Sequence, residues 1–336
     1  MCENLMSKAI LLAKGEVCFE DDYENKASGN IKSENLYQEK WVFVKLNETS
    51  RVRLACRKKA DLVICLSNDE KLLIRDKISG EIIADNIQIE ETLVHAPEQL
   101  FLQLYGNCSV KCKFCPLAYV NEEEHFSLDS IYCDIESNRN KNVKSIGITT
   151  AIPMYLSPED VGDELCFVID KIRKKVNREI PIGVSTKIPS MTTLKKLKNA
   201  GSDEIRLNLE VWDDELGRKL MPRKNIREIL ESNEMAVEVF GRGRVSSNLI
   251  LGIGETDDSV IEGINVLAKM GAIATLYPYD PIENGDTKFA RPNAERLVKL
   301  AKIHKKILDD NHLDPCGLRT MCCACAASHL YPGRDF

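Results

Sequence analysis

The chain has 336 residues, 43% apolar and 29% charged, with a formal net charge of −6, which suits one large unit with an appendage or two modest ones. The negative balance weighs against a general nucleic-acid binder, which needs concentrated positive surface, and no apolar run approaches the ~20 residues of a bilayer crossing. The patch Ala9 to Ala13 is too short, has acidic flanks and lacks a small-residue cleavage site, so a signal peptide is not expected and the cytoplasm is the expected address.

Residues 1–97 read as a β-rich accessory domain. The runs at 41–46, 51–56, 61–66, 71–75 and 80–89 are short, β-branched and separated by turn residues, which predicts a small antiparallel unit. From residue 98 to 291 the rhythm changes. Strand-like runs at 99–105, 145–150, 180–186, 204–211, 244–253 and 272–280 alternate with helical patterns. "SPEDVGDELCFVIDKIRKKV" begins with a cap and a proline, and "MTTLKKLKNAG" and "DDSVIEGINVLAKMG" end on glycine. Alternation at this spacing implies parallel βαβ units. The expected fold class is α/β, a partial (β/α)6 TIM-type barrel with ligands at the C-terminal ends of its strands. Residues 292–336 give a helix, then a cysteine-bearing tail without periodicity. The basic run 171–178 reads as a solvated helix face.

Thirteen cysteines in a chain of this kind point to metal or catalysis rather than disulfides, and the odd total agrees. Cys2, Cys18, Cys56, Cys65, Cys133 and Cys166 are dispersed and read as small buried hydrophobes. The others cluster. Cys108, Cys112 and Cys115 directly follow the first barrel strand in Cys-x3-Cys-x2-Cys spacing. A closed zinc site needs four ligands, whereas three thiolates on one loop suit a four-iron cluster with one iron left open to an external ligand.

This motif, with the aromatic Phe114 before the last cysteine, resembles that of the radical S-adenosylmethionine (SAM) superfamily. The resemblance implies a [4Fe-4S] cluster on Cys108, Cys112 and Cys115. It also implies SAM chelated to the open iron, and reductive cleavage to a 5′-deoxyadenosyl radical that removes hydrogen from an unactivated carbon. "VSSNLILGIGET" (245–256) is similar to a segment of biotin synthase and lipoyl synthase that backs the adenine. Asn248, Gly252 and Gly254 are the matching candidates, with Asn248 where the family has glycine; Phe114 joins them as a cofactor contact. Thr149 and Thr150 stand where relatives bind the SAM amino group, although the family's Gly-Gly-Glu is absent. Asn208 and Glu210 share a strand face and stand where relatives hold the ribose and the methionine; a carboxylate can accept both ribose hydroxyls. Ser185 is a further SAM contact, with Lys187 and Arg206 of lower rank.

Cys316, Cys322, Cys323 and Cys325 form the second group. Four thiolates fit an auxiliary Fe-S cluster or, second, zinc; a thiol or persulfide carrier is the other functional reading. Over residues 95–336 the chain resembles biotin-synthase-related proteins and the archaeal-type two-component lipoyl synthase. Ser246 stands where biotin synthase has cysteine, and lipoyl synthase's N-terminal cysteine motif and terminal Arg-Ser-Ser-Tyr are absent. The resemblance implies sulfur insertion with sulfur from the tail. The alternatives are a radical rearrangement or fragmentation in cofactor biosynthesis, or a non-catalytic Fe-S scaffold or partner subunit. Expected partners are a small-molecule or carrier-protein-bound substrate, a ferredoxin or flavodoxin electron donor, and a partner radical SAM subunit; nucleic acid and membrane are not expected.

Overall fold

A computed structural model describes residues 2–20, 32–33, 40–93, 96–106, 108–119, 133, 136–137, 142–187, 189–282 and 288–336. The N-terminal region opens with α1 (Cys2–Lys14), which the sequence reading missed because Leu5, Ala9 and Leu12 make a stripe only at helical spacing. β1 (Glu16–Phe19), β2 (Lys32–Ser33), β3 (Lys40–Lys45), β4 (Arg51–Cys56), β5 (Leu62–Leu66), β6 (Leu72–Asp76), β7 (Ile82–Ala84) and β8 (Gln88–Glu90) follow. They form an eight-stranded sheet in which β1 lies between β4 and β5 and runs parallel to both. The expected antiparallel unit is therefore a mixed sheet. A strand entering from α1 has no hairpin to reverse it and inserts in parallel.

The second sheet has six parallel strands, all anticipated: β9 (Gln99–Gln103), β10 (Ser145–Thr149), β11 (Ile182–Ser185), β12 (Glu204–Arg206), β13 (Val245–Leu251) and β14 (Ile273–Pro278), paired in sequence order. This is the partial barrel. Between the strands lie α2 (Pro158–Arg173), α3 (Met191–Ala200), α4 (Asp214–Leu220), α5 (Ile226–Phe240) and α6 (Asp257–Met270). Ser157 and Asp160 close a capping box on α2, and Gly201 and Gly271 end α3 and α6 in the left-handed region. Within the basic run, Arg173 departs from the solvated reading: it turns inward to the carbonyls of Ile180 and Gly201 and to Asp203. Of the dispersed cysteines, Cys65 is buried and Cys133 is exposed, contrary to the packing reading; the side chain of Cys2 lies outside the described residues.

After α7 (Ala294–Asp310), the tail runs beneath the N-terminal ends of the barrel strands. Gly147 and Gly183 are paired in register on β10 and β11. A Cβ on Gly183 would meet Thr320 Oγ1 at 2.0 Å, and one on Gly147 would meet Met321 Sδ at 3.2 Å. The two glycines leave a notch that the tail fills. Glu204 at the start of β12 accepts from Arg319 N, Thr320 N and Thr320 Oγ1, and Gln99 of β9 donates to Met321 O. A short helix, α8 (Met321–Cys325), follows.

The tail also ties the two sheets together. Lys8 of α1 donates to Ala326 O and pairs with Asp335 at 2.7 Å, both side chains fully buried, and Ser50 donates to the other Asp335 oxygen. Breaking a buried pair strands one charge. Lys8→Met is expected to lower unfolding stability by about 3–5 kcal/mol in chemical denaturation; a loss under ~1 kcal/mol would mean that this tie is not structural.

Candidate active site

The loop after β9 is fixed by its backbone. Ser109 N donates to Ile152 O, Lys113 N to Leu220 O, and Arg223 Nη1 to Ser109 O. Lys111 takes a left-handed φ of 52°, which turns the chain so that Cys112 and Phe114 are buried while Lys113 faces out. Cys115 begins a short turn, Pro116–Ala118.

This loop forms one wall of a cleft of about 790 Å³ at the C-terminal end of the barrel. Cys108, Cys112, Phe114 and Cys115 line it, together with Thr149, Thr150, Ser185, Lys187, Asn208 and Glu210. The fold thus gathers these sequence-chosen residues around one space. Asn248, Gly252 and Gly254 lie outside that lining. Asn248 accepts from Thr275 through its side chain and donates its backbone N–H to Asn208. Gly252, at φ 105°, abuts the Ala290 carbonyl, which a Cβ would meet at 2.0 Å. Glu255 accepts from Gly252 N and Ile253 N and pairs with Arg296 of α7 at 2.8 Å. The Gly-Ile-Gly-Glu-Thr segment therefore folds as a turn closed on itself and on its neighbours.

Glu210 holds a left-handed φ of 69°, unfavourable for any residue but glycine. Two hydrogen bonds to β13 keep it there, Glu210 N to Asn248 O and Ile250 N to Glu210 O, both 2.8 Å. Such strain clusters at functional sites, and here it leaves the carboxylate in the cleft wall. Lys224 faces Glu210 at 3.7 Å and was not singled out from sequence. It sits in a turn before α5, where no periodicity marks it. Burial pushes the Glu210 carboxyl up, against the pull of Lys224 and then Arg206. For Lys224, burial works downward, but Glu210 and the three loop cysteines hold the ammonium above its ordinary value. Ser232 of α5 also lines the cleft, with a fully buried hydroxyl that has no partner.

Among the described residues, no three His, Cys, Asp or Glu side chains converge closely enough to hold a metal ion. The loop cysteines are free thiols. Burial pushes Cys112 up to about 12 and Cys115 up to about 11. The donor set still fits a cluster with an open position. Three sulfurs share one wall of an open cleft, with a cation, a carboxylate and an orphan hydroxyl beside them.

Residues 102–267 match the family described as the Radical SAM superfamily. This stretch, about half of the chain, is a radical SAM domain. A radical SAM methyltransferase from Sphaerobacter thermophilus shares its fold, with a TM-score of 0.51 at 17% identity over 75% of each chain. Among curated relatives, GTP 3',8-cyclase of Aliarcobacter butzleri is 23% identical over 187 residues, 54% of this chain and 55% of the relative. Lipoyl synthase of Pyrobaculum aerophilum is 24% identical over 217 residues, 60% and 70% of the two chains. The chain spans about half the length of the curated relatives it matches first.

A radical SAM domain implies a [4Fe-4S] cluster and SAM, and the cysteine loop is where this chain would hold them. The tail cysteines, by contrast, diverge. Cys316 is exposed, Cys323 packs beside Tyr331, Cys325 packs with Phe43 and Ala96, and Cys322 meets Arg206.

A thiol at about 12 rather than 9.0 is ionised about a thousandfold less at pH 8. In metal-free protein, iodoacetamide should therefore modify Cys112 at least ~100-fold more slowly than free cysteine, with the rate rising about tenfold per pH unit. Peptide mapping by mass spectrometry reads this; a Cys112 that reacts as fast as free cysteine would contradict the burial.

Proposed function

We propose that this chain cleaves SAM reductively, abstracts hydrogen from an aliphatic carbon of its substrate and completes the reaction by forming a carbon–sulfur bond. The observation that carries the reading is the convergence of Cys108, Cys112 and Cys115 with Glu210 and Lys224 on one cleft at the strand ends. When bound, a four-iron cluster with an open iron supplies the electron that splits the sulfonium and so generates the radical.

The remaining roles belong to the chain. Glu210 is the acceptor for ribose hydroxyls, placed by its strained backbone. Lys224, kept charged, is the counter-ion for the methionine carboxylate. Thr149, Thr150 and Ser185 offer hydroxyls around the amino group. Val110, Ile152, Leu207 and Ile229 form the apolar part of the wall and exclude water from the reacting carbon. The reading includes a low-potential one-electron donor of the ferredoxin or flavodoxin type, a cofactor precursor, free or carrier-bound, as substrate, and a cytoplasmic setting.

Sulfur insertion is favoured by the likeness to lipoyl synthase and by a cysteine-bearing tail packed under the barrel. The likeness to GTP 3',8-cyclases supports a second reading, a ring-forming rearrangement without sulfur. The nature of the product separates the two.

Reduced, reconstituted protein is expected to convert SAM to 5′-deoxyadenosine, with Cys112→Ala at background by chromatography. Lys224→Met should weaken SAM binding by about 10–100-fold, the ~1.5–3 kcal/mol of a charged hydrogen bond. Unchanged cleavage in Cys112→Ala would refute the reading.

A further inference from the structure

The four tail cysteines are not equivalent. Of them, Cys322 is the one placed against the inner face of the barrel, where Arg206 Nη1 donates to its Sγ at 3.3 Å. Its placement is enforced. Glu204 grips the two preceding residues, Gln99 holds the Met321 carbonyl, and Met321 itself takes a left-handed φ of 55°. A methionine in that region is unfavourable, so the clamp holds the chain in a turn it would otherwise avoid, and that turn directs Cys322 to Arg206.

Arg206 is only 7% exposed, and its Nη2 has no hydrogen-bond partner. A guanidinium cannot shed its proton, and a buried charge with an unused donor is costly. The site thus combines a fixed positive charge, one sulfur and one spare N–H. Asn208, in the cleft lining, is two residues past the end of β12, about 7 Å on if the chain stays extended.

We propose that Cys322 is a persulfide carrier, with Arg206 holding the outer sulfur through its spare Nη2–H. This rests on the carbon–sulfur reading above. The outer sulfur stands about 2.05 Å beyond Sγ, toward the second arm of the same guanidinium, and its anionic form neutralises the buried charge. In loading, the Cys322 thiolate attacks the sulfane sulfur of a low-molecular-weight persulfide, whose S–S bond breaks to release a thiolate; no net oxidation occurs. In transfer, the substrate carbon radical bonds to the outer sulfur and the Cys322 S–S bond breaks homolytically. The resulting Cys322 thiyl takes one electron from the low-potential donor and returns to thiolate.

The test treats the anaerobically reconstituted full chain with cysteine persulfide, then alkylates and maps it by mass spectrometry, with iron counted in parallel. Cys322 should carry the added sulfur at least tenfold more often than Cys316, Cys323 or Cys325, and Arg206→Gln should reduce that occupancy at least tenfold with its circular dichroism intact. If Arg206→Gln unfolds, Arg206→Lys, which keeps the charge but not the fork, should show the same loss. Equal labelling of the tail cysteines would overturn the proposal, as would occupancy indifferent to Arg206, or iron lost from the chain on Cys322→Ser. Heavy-sulfur loading in a single turnover keeps the two readings apart. Carbon–sulfur product formed by Cys322→Ser sinks the carrier and leaves the reaction standing. A loaded Cys322 with no labelled product sinks the reaction and leaves the carrier site standing.

Discussion

Six parallel strands curled without closing leave an inner face that none of the helices between the strands covers, and the rest of this structure depends on how that face is filled. Helices bury the outer face through Ile146, Ile148, Val184 and Ile205. The inner face carries Gln99, Ser145, Gly147, Gly183 and Glu204 toward one end, and Thr149, Ser185, Asn208 and Glu210 toward the other, with Arg206 in register with Ser185. Buried polar groups require partners. The tail supplies them at the lower end, by Thr320 on Glu204 and Met321 O on Gln99, and reaches up to Arg206 through Cys322. The upper end opens into the cleft lined by the cysteine loop.

This division explains why the N-terminal sheet is part of the catalytic body. Its Arg53 donates to Tyr277 Oη at the barrel's far strand and its backbone N–H to Ala327 O, while Lys8 and Ser50 both engage Asp335. The accessory sheet braces the tail, the tail floors the barrel, and the floor supports β12, the strand that carries Arg206 and leads to Glu210.

Much of this was legible in the sequence, for physical reasons that also mark where legibility stopped. The six barrel strands showed themselves as apolar runs because their outer faces are fully buried, and α6 showed itself by its Thr256 cap and Gly271 stop. The cysteine loop was readable because three thiols at short spacing on one loop constrain the chemistry. α5 escaped because Ser232 and Asn233 interrupt its apolar stripe, both fully buried where a hydrophobe is the usual occupant. Lys224 escaped because a turn residue has no periodicity. The tail's position was hidden because what seats it is the missing side chains of Gly147 and Gly183, and an absence on a strand reads equally as a bulge or a ligand contact. The Gly-Ile-Gly-Glu-Thr segment illustrates the same ambiguity, since Gly252 admits the Ala290 carbonyl while Gly254 meets only the Leu216 side chain.

In the function proposed above, Cys108, Cys112 and Cys115 would hold the cluster, and Glu210 and Lys224, beyond the end of β12, would hold SAM against it. Electron–nuclear double resonance on the reduced, reconstituted chain tests it most directly, using SAM isotopically labelled at the amino nitrogen and the carboxylate carbon. Both nuclei should show hyperfine coupling to the cluster, with the carboxylate signal weakened in Lys224→Met. Bound SAM that shows coupling at neither nucleus would contradict it.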